Sequence, residues 1–247
     1  MNVLVTGASR GIGRAIAVAF ATRGDRIAVH CGSNREAARE TLEALPGSGH
    51  VLVSGDLGNP EAAQWIADVA EEQLGGVDVL VNNAAVGTVP ATRTPITEMS
   101  YADWQEAWRH TLDVNLLGAA NVSFHVARHL IARGVPGRIV NVGSRGAFRG
   151  EPDYLPYGAS KAALQSFGQS LAVQLAPHGI SVTSVAPGFT ATERVADRVT
   201  DEVRQQSPFG RVADPEEIAE AVVFLASSET PWASGSILDL NGASYLR

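Results

Sequence analysis

Val3-Leu4-Val5-Thr6-Gly7-Ala8-Ser9-Arg10-Gly11-Ile12-Gly13 is the stretch whose reading decides the fold. Three consecutive apolar residues read as a strand covered on both faces, and Ile12–Arg23 then carries the apolar period of a helix. Gly7 and Gly11 lie between them, and Gly13 is the second residue of the helix. Without a Cβ, glycine permits a tight turn and lets the backbone approach a pyrophosphate closely. The start of the following helix presents free N–H groups and the positive end of its dipole to such an anion. The spacing is G-x-x-x-G-x-G, not the G-x-G-x-x-G of the standard dinucleotide fingerprint. Glycine turns also serve packing alone, so the strand–turn–helix context is what favours a cofactor site.

Outward from this unit the pattern repeats. Asn2–Thr6, Arg26–Cys31, His50–Gly55, Val77–Asn82, Arg138–Val142, Ser181–Val185 and Ser236–Leu240 read as strands. Ile12–Arg23, Arg35–Leu45, Pro60–Leu74, Tyr101–Arg133, Tyr157–Ala176 and Pro215–Ser227 read as helices. Strands alternating with helices imply βαβ units and a parallel sheet. The expectation is an α/β, doubly wound Rossmann-type parallel sheet of about seven strands, with helices on both faces. No internal repeat or linker divides the chain, so residues 1–247 read as one domain. Gly188–Gly210 is irregular and polar, with room for only a short helix around Thr192–Gln205, and reads as a lid over a substrate pocket.

The chain has 247 residues and a net charge of −7, which argues against a nucleic-acid or anionic-membrane partner. No run of about 18 apolar residues is present to span a membrane. Cys31 is the single cysteine, which excludes an internal disulfide and suits a reducing cytoplasm. His125 and His129 stand four apart, but Val126-Ala127-Arg128 between them lacks the glutamate of H-E-x-x-H, so a zinc site is not expected. Trp104 and Trp108 read as packing residues against a core or a subunit partner.

The ordered motifs resemble those of the short-chain dehydrogenase/reductase family. Thr6–Gly13 has its TGxxxGxG spacing. Asp56-Leu57 is similar to the pair that contacts adenine, and Asn82-Asn83-Ala84-Ala85 to its NNAG element, with Ala85 where glycine is usual. Asn115 falls in DVNLLG, Ser144 closes NVGS, and Tyr157–Lys161 is Y-x-x-x-K. Pro187-Gly188-Phe189-Thr190-Ala191-Thr192 resembles PG-x-I-x-T, and the likeness runs from Val3 to about Gly242. By overall pattern it is nearest to the 3-oxoacyl-carrier-protein reductase-like members. Asp239-Leu240-Asn241-Gly242-Ala243 departs from the family's V-D-G-G.

Reducing a carbonyl by hydride needs an acid for the developing alkoxide, and a free tyrosine with a pKa of about 10 is poorly matched to that task. Tyr157 and Lys161, four apart in a helical segment, share a face, and an ammonium beside a phenol lowers its pKa. Ser144, at the C-terminal end of a strand, is suited to hold the substrate oxygen. The resemblance implies these roles for the three residues and a ribose contact for Lys161. For Asn115 it implies the anchoring of a relay water, against the alternative of a helix cap or bend. For Thr190 and Thr192 it implies nicotinamide contact, against ordinary capping. Tyr154 lacks a lysine four residues on and reads as a pocket wall.

The end of the second strand, Ala28-Val29-His30-Cys31-Gly32-Ser33-Asn34-Arg35, has no carboxylate to bind the adenosine ribose hydroxyls. That favours NADP(H), otherwise NAD(H). Ser33, Asn34, Arg10 and Arg35 are the candidate ligands of a 2′-phosphate; solvent-facing arginines are the competing reading. The cofactor-site expectation therefore comprises Gly7, Ser9, Arg10, Gly11, Ile12, Gly13, Ser33, Arg35, Asp56, Leu57, Asn83, Ala84, Ala85, Tyr157, Lys161, Pro187, Gly188, Thr190 and Thr192. The expected function is NADP-dependent reduction of a small-molecule carbonyl, possible substrates including 3-oxoacyl compounds. The alternatives are an NAD-dependent alcohol or polyol dehydrogenase and a non-catalytic nucleotide-binding module. The family commonly forms tetramers, so a homotetramer or dimer is expected.

Overall fold

Val3 and Val5 face one side of the central sheet and Leu4 the other, and all three are fully buried. This alternation, with apolar cover on both faces, is what a parallel sheet between two helical layers requires. The computed structural model describes residues 1–193, 195–227 and 231–247; residue 194, inside the expected lid, lies outside them. Among these residues seven strands are present: β1 (Asn2–Val5), β2 (Arg26–Cys31), β3 (Val51–Ser54), β4 (Val79–Asn82), β5 (Gly137–Val142), β6 (Ile180–Pro187) and β7 (Ile237–Leu240). They form one parallel sheet in the order β3-β2-β1-β4-β5-β6-β7. The order reverses direction between β1 and β4, where Val3 pairs with Ile27 on one side and Val79 on the other.

The helices are α1 (Gly11–Thr22), α2 (Arg35–Ala44), α3 (Pro60–Leu74), α4 (Tyr101–Leu112), α5 (Ala119–Arg133), α6 (Gly146–Arg149), α7 (Leu155–Leu175), α8 (Asp201–Arg204) and α9 (Pro215–Ser227). Ile16 and Phe20 of α1, Ala38 of α2 and Ile218 and Val222 of α9 cover the face of Val3, Val29, Val81 and Val140. Ile66 of α3, Val126 and Leu130 of α5 and Leu175 of α7 cover the face of Leu4, Leu80, Ile139 and Val182. Each such fully buried large side chain contributes about 1.5–3 kcal/mol. Sequence pattern and fold agree at this level because a doubly covered strand has no polar alternation to disguise it. Local chemistry sets several helix starts: the side chains of Asn34, Asn59 and Ser100 accept from the N–H groups of Ala37, Ala62 and Asp103.

Two elements differ from the sequence expectation. The helix expected over Tyr101–Arg133 is interrupted by a π-turn at Asp113–Gly118. It holds the buried Asn115 against the loop after β4, and it brings Gly118 so close to Leu57 that a Cβ there would lie 2.7 Å from the Leu57 carbonyl oxygen. Apolar periodicity is blind to this, since a single π-turn shifts the pattern by only one residue. In the lid, the short helix expected around Thr192–Gln205 is instead a 3₁₀ turn at Ala196–Arg198 and the single turn α8, capped by Thr200. Val195, Val199 and Val203 stand at helical spacing, but Val199 takes φ −82°, ψ 74°, outside the helical region, so the two turns do not join into one helix.

Candidate active site

The glycine-rich turn after β1 is a set of close backbone contacts. Gly7 has φ +65°, and a Cβ on it would come within 2.8 Å of Ala84 Cα. At Gly13 a Cβ would lie 2.2 Å from the Gly7 carbonyl oxygen and 2.5 Å from Asn83 Nδ2. Asn83 explains the crowding: its Nδ2 donates to the carbonyls of Thr6 (2.9 Å) and Gly7 (3.1 Å). Thr6 Oγ1 in return accepts from the N–H groups of Asn83 (2.9 Å) and Ala84 (3.1 Å) and donates to Val81 O. The loops after β1 and β4 are thereby joined at the point where the sheet order reverses, the place where open α/β sheets bind ligands. Helix α1 begins at Gly11 with no side chain capping it, which leaves its first N–H groups available to an anion.

His30, at the end of β2, fixes the other side of the turn. Its Nδ1 accepts from the Gly7 N–H at 3.1 Å, and its Nε2 lies 3.0 Å from the Gly55 carbonyl, which assigns the proton to Nε2. Burial lowers its pKa from 6.5 to about 4, so the ring is neutral near pH 7. Arg14 adds a further tie, donating to Ser9 O at 2.8 Å and to Thr41 Oγ1 at 2.9 Å.

From this turn a cleft of about 420 Å³ runs along the C-terminal edge of the sheet. Gly7, Ser9, Arg10, Gly11, Ile12 and Gly13 line its start. Ser33, Asp56 and Leu57 lie at one end, and Asn83, Ala84 and Ala85 line its centre. Ser144, Tyr157 and Lys161 meet Pro187, Gly188, Thr190 and Thr192 farther along. Arg35 does not line the cleft; it is exposed at the start of α2, whereas Arg10 does line it. Among the described residues neither Thr190 nor Thr192 caps a helix, and Thr190 Oγ1 donates to Gly188 O at 3.3 Å.

Ser144 Oγ accepts from the Gly146 N–H at 3.0 Å and has no acceptor for its own proton among the described residues, so it is set to donate into the cleft. Lys161 is 2% exposed and its Nζ donates to the Val142 carbonyl at 2.7 Å, while lying 5.9 Å from the centre of the Tyr157 ring. Asn115 does not open on the cleft. Its Oδ1 accepts from Val86 N at 2.7 Å, and its Nδ2 donates to Val86 O at 3.1 Å and to Ser160 Oγ at 3.0 Å. It thus clamps the loop after β4, which lines the cleft, to α7, which carries Tyr157 and Lys161. Neither a cap nor a simple bend describes this role.

Tyr154 is buried but does not line the cleft; it lies beneath the Arg198 guanidinium, 5.2 Å from its ring centre. This corrects its expected place as a pocket wall, because Arg198 from the lid occupies the position in front of it. Arg145, Glu151, Arg198 and His30 also line the cleft, and no motif had assigned any of them a role. Only His30 had a signal available, as a lone polar residue closing an apolar strand beside the glycine turn. Outside the cleft, His129 Nε2 stands 3.1 Å from Asp68 Oδ1 and Trp104 packs on Trp108 with centroids 5.8 Å apart.

Residues 7–242 match the family described as enoyl-(acyl carrier protein) reductase. The chain belongs to this short-chain dehydrogenase/reductase family, and it is an oxidoreductase that moves a hydride between a nicotinamide cofactor and a carbonyl or alcohol carbon. It is 36% identical to the 3-oxoacyl-(acyl-carrier-protein) reductase FabG of Vibrio cholerae, over 98% of this chain and 96% of that one. It is 37% identical to the cis-4-hydroxycyclohexanecarboxylate dehydrogenase of Sinomonas cyclohexanicum, over 97% and 94% of the two chains. A short-chain dehydrogenase of Burkholderia cenocepacia solved in complex with NADP superimposes with a TM-score of 0.85 at 30% identity, covering 98% of this chain and 97% of that one. No helix among the described residues is long and apolar enough to cross a membrane.

Proposed function

We propose that the protein is an NADP(H)-dependent ketoreductase in which Tyr157, Lys161 and Ser144 carry the proton chemistry. The observation that carries this reading is their convergence on one cleft with the phosphate-binding turn. The residues present fit the dinucleotide: the glycine cradle admits no Cβ at positions 7 and 13, and the uncapped start of α1 suits a pyrophosphate. When bound, NADPH supplies the hydride. Ser144 keeps its proton and donates a hydrogen bond through it to the carbonyl oxygen, where negative charge develops. Tyr157 transfers its phenolic proton to the same oxygen, and Lys161 favours the phenolate that remains. Asn115 is a positioning residue that keeps the loop after β4 and α7 in register.

The 2′-phosphate is assigned to the exposed Ser33 and to Arg10, both on the cleft and with no carboxylate nearby on β2. Support for NADP also comes from the Burkholderia neighbour's complex. The Vibrio relative, a 3-oxoacyl-(acyl-carrier-protein) reductase, supports a ketone as the substrate; a homotetramer and a cytoplasmic setting are supported by the family's common pattern and the single cysteine. The test is a panel of ketones assayed with NADPH and with NADH. Turnover with NADPH at a kcat/KM at least about tenfold above that with NADH is expected. A preference for NADH overturns the cofactor assignment, and a lack of any ketone reduction overturns the function.

A further inference from the structure

Three charged side chains stand at the substrate end of the cleft and have no part in the hydride chemistry: Arg145, Glu151 and Arg198. Arg145 follows Ser144 directly and is 5% exposed. Its two terminal nitrogens donate to Ser244 Oγ and Gln206 Oε1, each at 2.5 Å, so it is spent as part of the wall. Arg198 comes from the lid. Its Nη1 donates to the carbonyl and, at 2.9 Å, to the hydroxyl of Thr88, and its guanidinium lies over the rings of Tyr154 and Phe189. Its Nη2 and Nε have no acceptor among the described residues.

Glu151 is the opposite case. Its carboxylate has neither a hydrogen bond nor an ion pair within 4 Å among the described residues, although Arg145, Arg149 and Arg198 act on it at longer range. It is half-buried, and burial pushes its pKa up against the pull of those arginines. The fold makes room for it: a Cβ on Gly146 would lie 2.3 Å from Glu151 Oε1, and one on Gly158 would touch the Glu151 Cβ at 3.6 Å. Gly146 is also the residue whose N–H donates to Ser144 Oγ. A carboxylate without a partner among the described residues is therefore held against Gly146, whose N–H donates to the hydroxyl assigned to the reacting oxygen, and guanidinium N–H groups without an acceptor among those residues line the same cleft.

We propose that Glu151 and Arg198 are specificity-determining residues that select a neutral substrate bearing hydroxyl groups on the carbons beside the reacting carbonyl. This rests on the ketoreductase reading. A hydroxyl both donates and accepts, so it satisfies Glu151 through its proton and Arg198 through its oxygen. A substrate carboxylate meets Arg198 but is repelled by Glu151. An unsubstituted acyl chain pairs with neither and leaves a carboxylate and a guanidinium desolvated without partners, an arrangement that polar sites reject strongly.

The experiment compares hydroxyacetone, 2-butanone and acetoacetate as ketone probes, with saturating NADPH, in the native enzyme and in three variants. The native enzyme should show a hydroxyacetone kcat/KM at least about tenfold above that of either other probe. Glu151→Leu should bring the hydroxyacetone-to-butanone ratio down by about tenfold, mainly through KM, because the contact is present before the reaction starts. Glu151→Gln, which keeps an acceptor without the charge, should retain part of the preference. Arg198→Met lies on the lid, away from the core, and provides the same reading if Glu151→Leu does not fold. A native preference for butanone or acetoacetate, or an unchanged ratio in Arg198→Met and in the folded Glu151 variants, overturns the proposal while ketone reduction stands. Absence of turnover with all three probes overturns the proposal together with the ketoreductase reading.

Discussion

The two halves of the cleft are built in different ways. On the cofactor side, geometry comes from backbone atoms at fixed distances: Gly7, Gly13 and the Thr6–Asn83 clamp tie two loops to a rigid sheet edge. On the substrate side it comes from long side chains that arrive from distant segments, such as Arg198 on Thr88 across 110 residues of chain. The first kind of site fixes one ligand shape and needs particular residues at set spacings. The second kind can change its ligand without changing the fold, since only side-chain tips are exchanged. The enzyme class accordingly resides in the first half and the substrate in the second.

The junction of the two halves is the place to break this comparison most severely. Tyr157→Phe keeps the ring but removes the proton, and kcat should fall by about 10³-fold, within the range for a general acid. Titration with NADPH should find the cofactor affinity changed by less than about threefold. A kcat close to native would remove Tyr157 from the proton transfer.

The rigidity of the cofactor half rests partly on His30, and pH tests it. Its folded pKa of about 4 lies below the ordinary 6.5, so the unfolded chain takes up a proton first as pH falls. The stability that neutral His30 provides is complete above about pH 6.5 and is lost as the pH falls to about 4, a change of about 3 kcal/mol. Urea unfolding at pH 7, 5 and 4 should show this slope. His30→Gln, whose amide can accept from Gly7 and donate to Gly55, should be less sensitive to pH by that amount. Equal slopes in the two proteins would place the pH dependence elsewhere.

A smaller effect separates the two arginines considered for the 2′-phosphate. Arg10→Ala should lower the NADPH-over-NADH ratio of kcat/KM by about tenfold, the loss of one charge-assisted contact of about 1.5 kcal/mol. Arg35→Ala, at an exposed position off the cleft, should leave the ratio within about twofold. Equal losses in both would mean that α2 moves toward the cofactor on binding.

The mildest expected difference concerns mobility. Backbone amides of residues 195–210 should exchange more slowly, by a few-fold, when NADP and a substrate analogue are both bound, as expected of a lid that excludes water. Amides of β1 and β4, already locked in the sheet, should change less. Equal protection of the lid with and without ligands would leave it a static wall.

Within the sequence, the sheet, its order of helices and most of the cofactor side are legible because each is marked by a pattern that runs over a few consecutive residues. Consecutive apolar residues mark a doubly covered strand, and glycines at positions 7, 11 and 13 mark the turn from strand to helix. The pairing of Tyr157 with Lys161 is readable for the same reason, a single helical turn. Asn115 could be singled out by its motif, but not its work: its partners Val86 and Ser160 lie 29 and 45 residues away. The π-turn that aims it differs from an α-turn by one residue, too little for periodicity to register.

By itself, then, the chain's sequence determined a doubly wound α/β fold, a dinucleotide turn and a Ser–Tyr–Lys set, all of them short-range patterns. Tertiary structure alone decided that Arg10 and not Arg35 lies on the cleft, that His30 locks the glycine turn, and that Glu151 and Arg198 line its substrate end. The physical reason is that burial, desolvation and the pairing of a charge depend on which distant segments pack around it. No local spacing records that.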